Sequence, residues 1–445
     1  MGESALSSHM KGGVMIPSSR TAVTRGVFVA RGRLSHDRVV SCGQTNALRG
    51  PQFLQELVPA AEKTALLFEI SYLCLGRFTD LEKLIRSNAM EVRMSFNTSE
   101  ALLLQCIGTS ENMVNILFPM LKKAVEVGHA TVAISYLGKA KQWIQDIIHK
   151  VQAMVDEYGK LTRGVASTTS NVFATKDQTG AKNKKLTNEL KALQEKVAYY
   201  DSIVKQKESE LARNEAAIEA ATQELQNIIC DIASRNRKFG ILAAVVPFLG
   251  LIIDAVQKSI NSDDDSRRLE MAREKLNDLR GRRSVLCSDM GQAQTNRMHW
   301  QFEVTKGSFE LGVVPDPVHL PEVQQNLSRI QDILMQLKSF WEKIDKLVND
   351  LQQKTFAGEE MVHFLNDFKD EFLKSIELAT EAWSSFRVGC IKVNDMFALK
   401  NKDAYKFLET SPSTLTAEQW QQQYDTLKAR LENLNTPQTS CLMFQ

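Results

Sequence analysis

Residues 186–232 read LTNELKALQEKVAYYDSIVKQKESELARNEAAIEAATQELQNIICDI, and apolar side chains recur in them at alternating steps of four and three. The positions on this seam are Leu186, Leu190, Leu193, Val197, Tyr200, Val204, Lys207, Leu211, Asn214, Ile218, Ala221, Leu225, Ile228 and Ile232. A sustained three–four alternation is typical of a coiled-coil helix rather than of an ordinary surface helix. At about 1.5 Å per residue such a helix is roughly 70 Å long. Lys207 and Asn214 are the polar exceptions, interpreted as positions exposed at a bend or as markers of register.

A second arm with the same alternation follows in residues 269–304. Its seam consists of Leu269, Ala272, Leu276, Leu279, Arg283, Leu286, Met290, Ala293, Arg297, Trp300 and Val304. Because the two arms are joined in sequence, we expect them to lie antiparallel. Gly281 and Gly291 are candidate bends in the second arm.

The rest of the chain also favours helices. A third seam follows Leu327, Ile330, Leu334, Leu337, Trp341, Ile344, Val348 and Leu351. Residues 361–390 and 414–434 have helical spacing, while residues 312–321, GVVPDPVHLP, predict a turn or extended connector. Several helices are expected over 52–159, with a start at Thr98–Glu100 and a break near Gly128, and residues 164–185 predict a linker or a solvated helix start. The fold class is all-α, an elongated bundle of four or five long antiparallel helices.

Between the two arms lies an apolar segment, FGILAAVVPFLGLII, at residues 239–253. It is too short to cross a bilayer as one straight helix, which needs about 20 apolar residues. Pro247 and Gly250 favour a hairpin, either a short β-tongue or two short helices, at the tip of the coiled coil. A buried helical cap is the alternative. The membrane-insertion residues of this hairpin are predicted to be Phe239, Ile241, Leu242, Val245, Val246, Pro247, Phe248, Leu249, Leu251, Ile252 and Ile253.

Charged residues flank the apolar segment on both sides. Arg235, Arg237 and Lys238 precede it and are predicted to contact anionic head groups. The acidic run of residues 263–265 follows it and is expected to stay in water. The domain boundaries predicted from these patterns are a flexible basic segment at 1–50, a helical bundle at 51–232 and 269–440, and an apolar head at 233–268.

The composition and motifs of the chain argue against several classes of function. The formal net charge is +2, and residues 1–50 are the basic part, so the body of the chain is not expected to bind nucleic acid. That first segment resembles either an organelle transit peptide or a flexible tail, and it has no apolar core of a secretory signal.

No catalytic, cofactor or metal motif is present: residues 133–140 lack both the first glycine and the Ser or Thr of a phosphate loop. The seven cysteines and five tryptophans are interpreted as core residues, and no enzyme activity, cofactor or metal is expected.

Two long helical arms with an apolar hairpin between them resemble the α-helical pore-forming toxins of the cytolysin A and haemolysin BL type. The resemblance implies a soluble monomer, secreted or released by a non-classical route or cytoplasmic before release, whose head unfolds from the bundle and inserts into the lipid bilayer of a target cell. It also implies a homo-oligomer in the membrane, with partner subunits as a further option. The alternative function is a coiled-coil scaffold or tether whose apolar tip docks a protein partner.

Overall fold

The computed structural model describes residues 52–182, 188–235, 262–310, 314, 319–356 and 361–435, and all regular structure in these ranges is helical. The α-helices are α1 Leu57–Leu75, α2 Thr79–Asn112, α3 Phe118–Val127, α4 Ala130–Lys182, α5 Asn188–Arg235, α6 Asp263–Glu310, α7 His319–Asp350, α8 Met361–Ala404 and α9 Ala417–Asn435. Short 3₁₀ turns occur at Gln52–Glu56, Lys406–Glu409 and Pro412–Thr414, and π-helical turns at Met113–Leu117 and Leu351–Phe356. The described residues all lie in one unit, Gln44–Gln445, and the all-α prediction is confirmed.

The bundle has more long helices than the four or five expected. Among the described helices, six have 32 residues or more, because the region before residue 183 contains two long helices. Residues 164–182 are the end of α4 rather than a linker. Val165 and Val172 are buried there, and Thr168 accepts a 2.6 Å hydrogen bond from Asn88 Nδ2 of α2. Packing against α2 therefore keeps this polar stretch helical.

The helix start expected at Thr98–Glu100 is wrong, since α2 continues through it. Ser99 is buried, and its hydroxyl donates to the Ser95 carbonyl at 2.9 Å. A serine bonded to the carbonyl four residues earlier stays inside a helix instead of capping a new one. The break near Gly128 is confirmed, because α3 ends there on a residue with φ of 76°, which glycine adopts without strain.

The core is centred on α1, which packs against α2, α7, α8 and α9. All eight seam positions of the third arm are buried, as predicted. Trp341 and Trp383 lie with ring centroids 5.7 Å apart in this core, and Trp420 Nε1 donates to the Leu73 carbonyl at 3.0 Å. Cys74, Cys106 and Cys390 are buried free thiols, so the core role expected of cysteine and tryptophan holds for these residues.

Two local predictions are corrected by the helix bounds. Residues 319–321 form the first turn of α7, where proline is tolerated, rather than the end of a connector. Gly281 and Gly291 do not interrupt α6. Residues 133–140, which lack the pattern of a phosphate loop, lie inside α4 as expected of a helical stretch.

Candidate functional site: the helix pair that carries the apolar segment

The two predicted arms are α5 and α6, which pack along each other as an antiparallel pair. Every described seam position on both helices is buried or half-buried, as the periodicity predicted. Contacts between α5 and α6 define the register of the pair. Arg297 Nη1 lies 3.0 Å from Asp201 Oδ1, Lys275 Nζ lies 2.7 Å from Glu224 Oε2, and Arg268 Nη1 lies 3.3 Å from Asp231 Oδ2. As the residue number rises along α5 it falls by nearly the same amount along α6, so the register does not slip.

The last of these contacts lies next to the predicted apolar head. Asp231 is in the final turn of α5, which ends at Arg235, and Arg268 is in the second turn of α6, which begins at Asp263. The pair therefore brings both ends of the 236–262 connector together. The predicted insertion residues Phe239–Ile253, and the predicted head-group residues Arg237 and Lys238, lie outside the residues that the structure describes; of Arg235 only the backbone is described.

The acidic run at the start of α6 has two different roles. Asp263 and Asp264 are exposed, as expected, and carboxylates in a first turn are favourable because the helix N-terminus is partly positive. Asp265 is instead buried, with Oδ1 3.7 Å from Arg268 Nη1. The expectation that all three acids stay in water is wrong for Asp265, because the arginine one turn later covers it.

The polar exceptions on the seams are paired or buried rather than exposed at a bend. Lys207 Nζ lies 3.0 Å from Asp289 Oδ2 of α6, and Asn214 is only 5% exposed. Arg283 lies on the α6 seam with Nη2 2.6 Å from Glu56 Oε1 and 3.3 Å from Glu215 Oε1. A half-buried ion-pair network results, because Arg329 of α7 contacts the same two carboxylates.

Arg297 is the most deeply buried charge of the pair. It bridges Asp201 of α5 and Glu322 of α7, and the Arg297 and Glu322 side chains are 8% and 4% exposed. Burial alone would lower the pKa of the guanidinium, but Glu322 and Asp201 outweigh it and the net shift is upward. Burial likewise acts to raise the pKa of Asp201, and its hydrogen bonds from Lys205 and Arg297 hold it below the ordinary value. The Arg297–Asp201 ion pair therefore stays charged at neutral pH.

Sequence reasoning missed a second buried face on α6. Besides its seam, α6 buries a stripe at helical spacing that consists of Gln294, Met298, Gln301, Thr305 and Ser308. Gln294 Oε1 accepts a 3.0 Å hydrogen bond from Lys63 Nζ of α1. The spacing is visible in the sequence, but four of the five side chains are polar, so hydropathy gives no signal for the stripe.

No group of three or more His, Cys, Asp or Glu among the described residues is placed to hold a metal ion. In those same parts of the chain, no helix combines the length and the apolar character needed to cross a bilayer.

Comparisons with known proteins give structural similarity alone. No family model and no curated protein matches the sequence. The Bacillus cereus HblL1 toxin component is matched with 10% identity and a TM-score of 0.33, over 80% of this chain and 96% of that chain. The pre-pore form of AhlB, from the tripartite alpha-pore forming toxin AHL of Aeromonas hydrophila, is matched with 10% identity and a TM-score of 0.26, over 76% and 98%. The SmhB pore of the tripartite alpha-pore forming toxin Smh from Serratia marcescens gives 10% identity and 0.22, over 78% and 98%. All three of these structures are toxin components, and the latter two belong to tripartite alpha-pore forming toxins.

Proposed function

We propose that this protein permeabilises membranes by inserting the apolar segment 239–253 into a lipid bilayer. The main support for this proposal is the position of the segment in the chain. It belongs to the connector between two long antiparallel helices whose adjacent ends lie side by side, with Arg268 Nη1 3.3 Å from Asp231 Oδ2. Helices joined in this way need a connection of only about 2–8 residues. A longer apolar connector at that place indicates a role of its own.

The composition of the segment supports insertion as a hairpin. Its uninterrupted apolar run is shorter than the roughly 20 residues of a spanning helix, and Pro247 and Gly250 disfavour a single straight helix. An exposed apolar patch of this kind must be covered by protein or by lipid. The hairpin is therefore covered in the form without lipid and enters the bilayer on contact, with Arg235, Arg237 and Lys238 at the head groups.

One hairpin of this size does not enclose a water-filled channel. We therefore propose that several copies assemble in the membrane, with amphipathic helices lining the pore, either alone or together with partner subunits. The protein acts by assembly rather than by catalysis, and it reaches the target cell after secretion or release.

The test is release of a trapped dye from liposomes by the purified protein. Val246→Asp and Leu249→Asp are expected to abolish release, because an aspartate at mid-bilayer costs ~2.5–3.5 kcal/mol on insertion scales. Val285→Asp is the matched control, since Val285 is 61% exposed on α6, outside the segment. Circular dichroism should show that all three variants keep their helix content.

Two results would count against this function. One is dye release by Val246→Asp and Leu249→Asp at the wild-type rate. The other is a folded wild-type protein that binds no vesicle of any lipid composition or pH, which would favour the scaffold whose apolar tip docks a protein.

A further inference from the structure

The α5–α6 pair is joined to the rest of the bundle by contacts different from those inside the pair. Inside the pair, most seam side chains are apolar. Towards the rest of the bundle, α6 presents the polar stripe Gln294–Ser308. The amide Oε1 and Nε2 of Gln301 are both buried there without a hydrogen-bond partner. A polar interface with unpaired groups is held less tightly than an apolar one.

Polar and ionic contacts cross this boundary beside the aromatic packing of Phe302 on Tyr424 of α9, whose ring centroids are 4.9 Å apart. Lys63 of α1 donates to Gln294, and Tyr424 of α9 donates to the Phe302 carbonyl at 3.0 Å. Gln325 of α7 donates to Glu208 of α5, and Arg297 of α6 is paired with Glu322 of α7. These four contacts join the helix pair to three helices, α1, α7 and α9.

His319 lies at the centre of this boundary. It is the first residue of α7, is 3% exposed, and packs against Phe302 of α6 with ring centroids 5.5 Å apart. Both ring nitrogens are buried without a hydrogen-bond partner. A protonated imidazole has two N–H donors and a charge, and this site has no bonded acceptor for either donor.

We propose that His319 makes the docking of the α5–α6 pair onto α1, α7 and α9 sensitive to acid, so that the fraction of molecules in which the pair has separated from them rises between pH 7 and 5 while α5 and α6 remain together. The inference concerns the protein in solution and holds whether or not residues 239–253 enter a bilayer.

The charges around His319 set the direction of the effect. Burial lowers the pKa of His319 to about 4 from its ordinary 6.5, Glu322 acts in the opposite direction, and Arg297 acts with burial. The other charged groups at this boundary are Lys63 on α1, Asp201 and Glu208 on α5, and Glu303 of α6 paired with Lys428 of α9 at 3.6 Å.

Proton linkage sets the direction in which a change of pH affects docking of the α5–α6 pair. Because the pKa is depressed in the docked state, docking is strongest above pH 6.5 and is weakened as the pH falls from 6.5 towards 4. Between pH 7 and pH 5 the ratio of the released to the docked form therefore rises about 20-fold. Acid thus acts on the helix pair before it protonates Asp201, whose pKa is lowered.

The experiment is methionine oxidation by hydrogen peroxide, followed by peptide mass spectrometry at pH 7.5 and pH 5.0. Met298 is fully buried on the polar stripe, Met335 is 53% exposed, and Met113 is buried in the π-helical turn far along the chain. We expect Met298 oxidation, relative to Met335, to rise at least tenfold at pH 5.0, while Met113 stays protected. His319→Leu should abolish the rise, and His149→Leu, at an exposed histidine of α4, should leave it intact.

Two outcomes overturn the inference. Met298 equally protected at both pH values in the wild-type protein excludes acid release, and this result needs no variant to fold. Oxidation of Met298 and Met113 in parallel means global unfolding instead of separation of one helix pair. Neither outcome depends on liposomes, so failure here leaves the dye-release test of membrane insertion undecided.

Discussion

At the scale of single residues, the notable feature is charge placed on apolar seams. Arg283 and Arg297 occupy seam positions, and each is paired with carboxylates from two other parts of the chain. A buried charge needs such partners, because removing an ion from water without compensation is very costly. The arginines therefore tie the two arms to the bundle at defined positions.

Substitutions at Arg297 and Glu322 measure how much this buried ion pair contributes to the free energy of unfolding. Arg297→Met leaves Glu322 buried and unpaired, and we expect it to lower the free energy of unfolding by about 3–5 kcal/mol at pH 7.5. The double variant Arg297→Met/Glu322→Leu removes both charges and should recover most of that loss. Urea unfolding monitored by circular dichroism measures both.

Lys275→Met is the control for this cycle, because Lys275 and Glu224 form an exposed pair at 2.7 Å with side chains 58% and 52% exposed. Exposed pairs contribute little, and the expected loss is below about 1 kcal/mol. A double variant that is no more stable than Arg297→Met would show that the buried pair itself stabilises the fold.

At the scale of helices, α6 is an uninterrupted helix despite its two glycines. Gly281 has no neighbouring atom within 4 Å of the position that a Cβ would take. Glycine in a helix interior lowers stability because its unfolded backbone is freer than that of alanine. The structure thus predicts that Gly281 is not a hinge.

Gly281→Ala should raise the free energy of unfolding by about 0.5–1 kcal/mol. Gly76→Ala is the contrasting variant, since its Cβ would lie 2.5 Å from Cβ and Cγ of Pro412 and must displace them. We expect this second change to destabilise the protein by about 1–3 kcal/mol. A loss of stability in Gly281→Ala, measured by the same urea unfolding, would instead point to a bend that α6 needs.

At the scale of the whole molecule, the proposed membrane insertion and the proposed acid release both involve the same helix pair, α5 and α6. The pair carries the connector of residues 236–262, and it is docked through polar contacts such as Lys63–Gln294. If insertion requires the pair to leave the bundle, then fixing it in place must block activity.

Lys63→Cys combined with Gln294→Cys, joined by a short cleavable bismaleimide, tests this requirement. The two native side chains meet at 3.0 Å, so the linker easily spans the sites in the docked form. We expect dye release to be lost on cross-linking and restored when the linker is reduced. Each single variant treated with the same linker is the control, and full activity of the cross-linked protein would show that insertion needs no separation at this boundary.

The helical arms, their apolar seams and the antiparallel order of α5 and α6 are all predictable from the sequence alone. These properties depend on periodicity within one helix and on chain order, which local residue spacing contains. The same reasoning placed the candidate membrane segment at residues 239–253, which remains a prediction from sequence. It did not find the long single helix at Ala130–Lys182, because neighbouring α2 keeps a polar stretch helical there.

The attachment of the α5–α6 pair to the bundle depends on packing between helices that are distant in sequence. Lys63 and Gln294 are 231 positions apart in sequence, and Arg297, Glu322 and His319 come from two different helices. Polar side chains on a buried face carry no hydropathy signal, so which of them are buried, paired or left without a partner is set by the packing of distant helices alone.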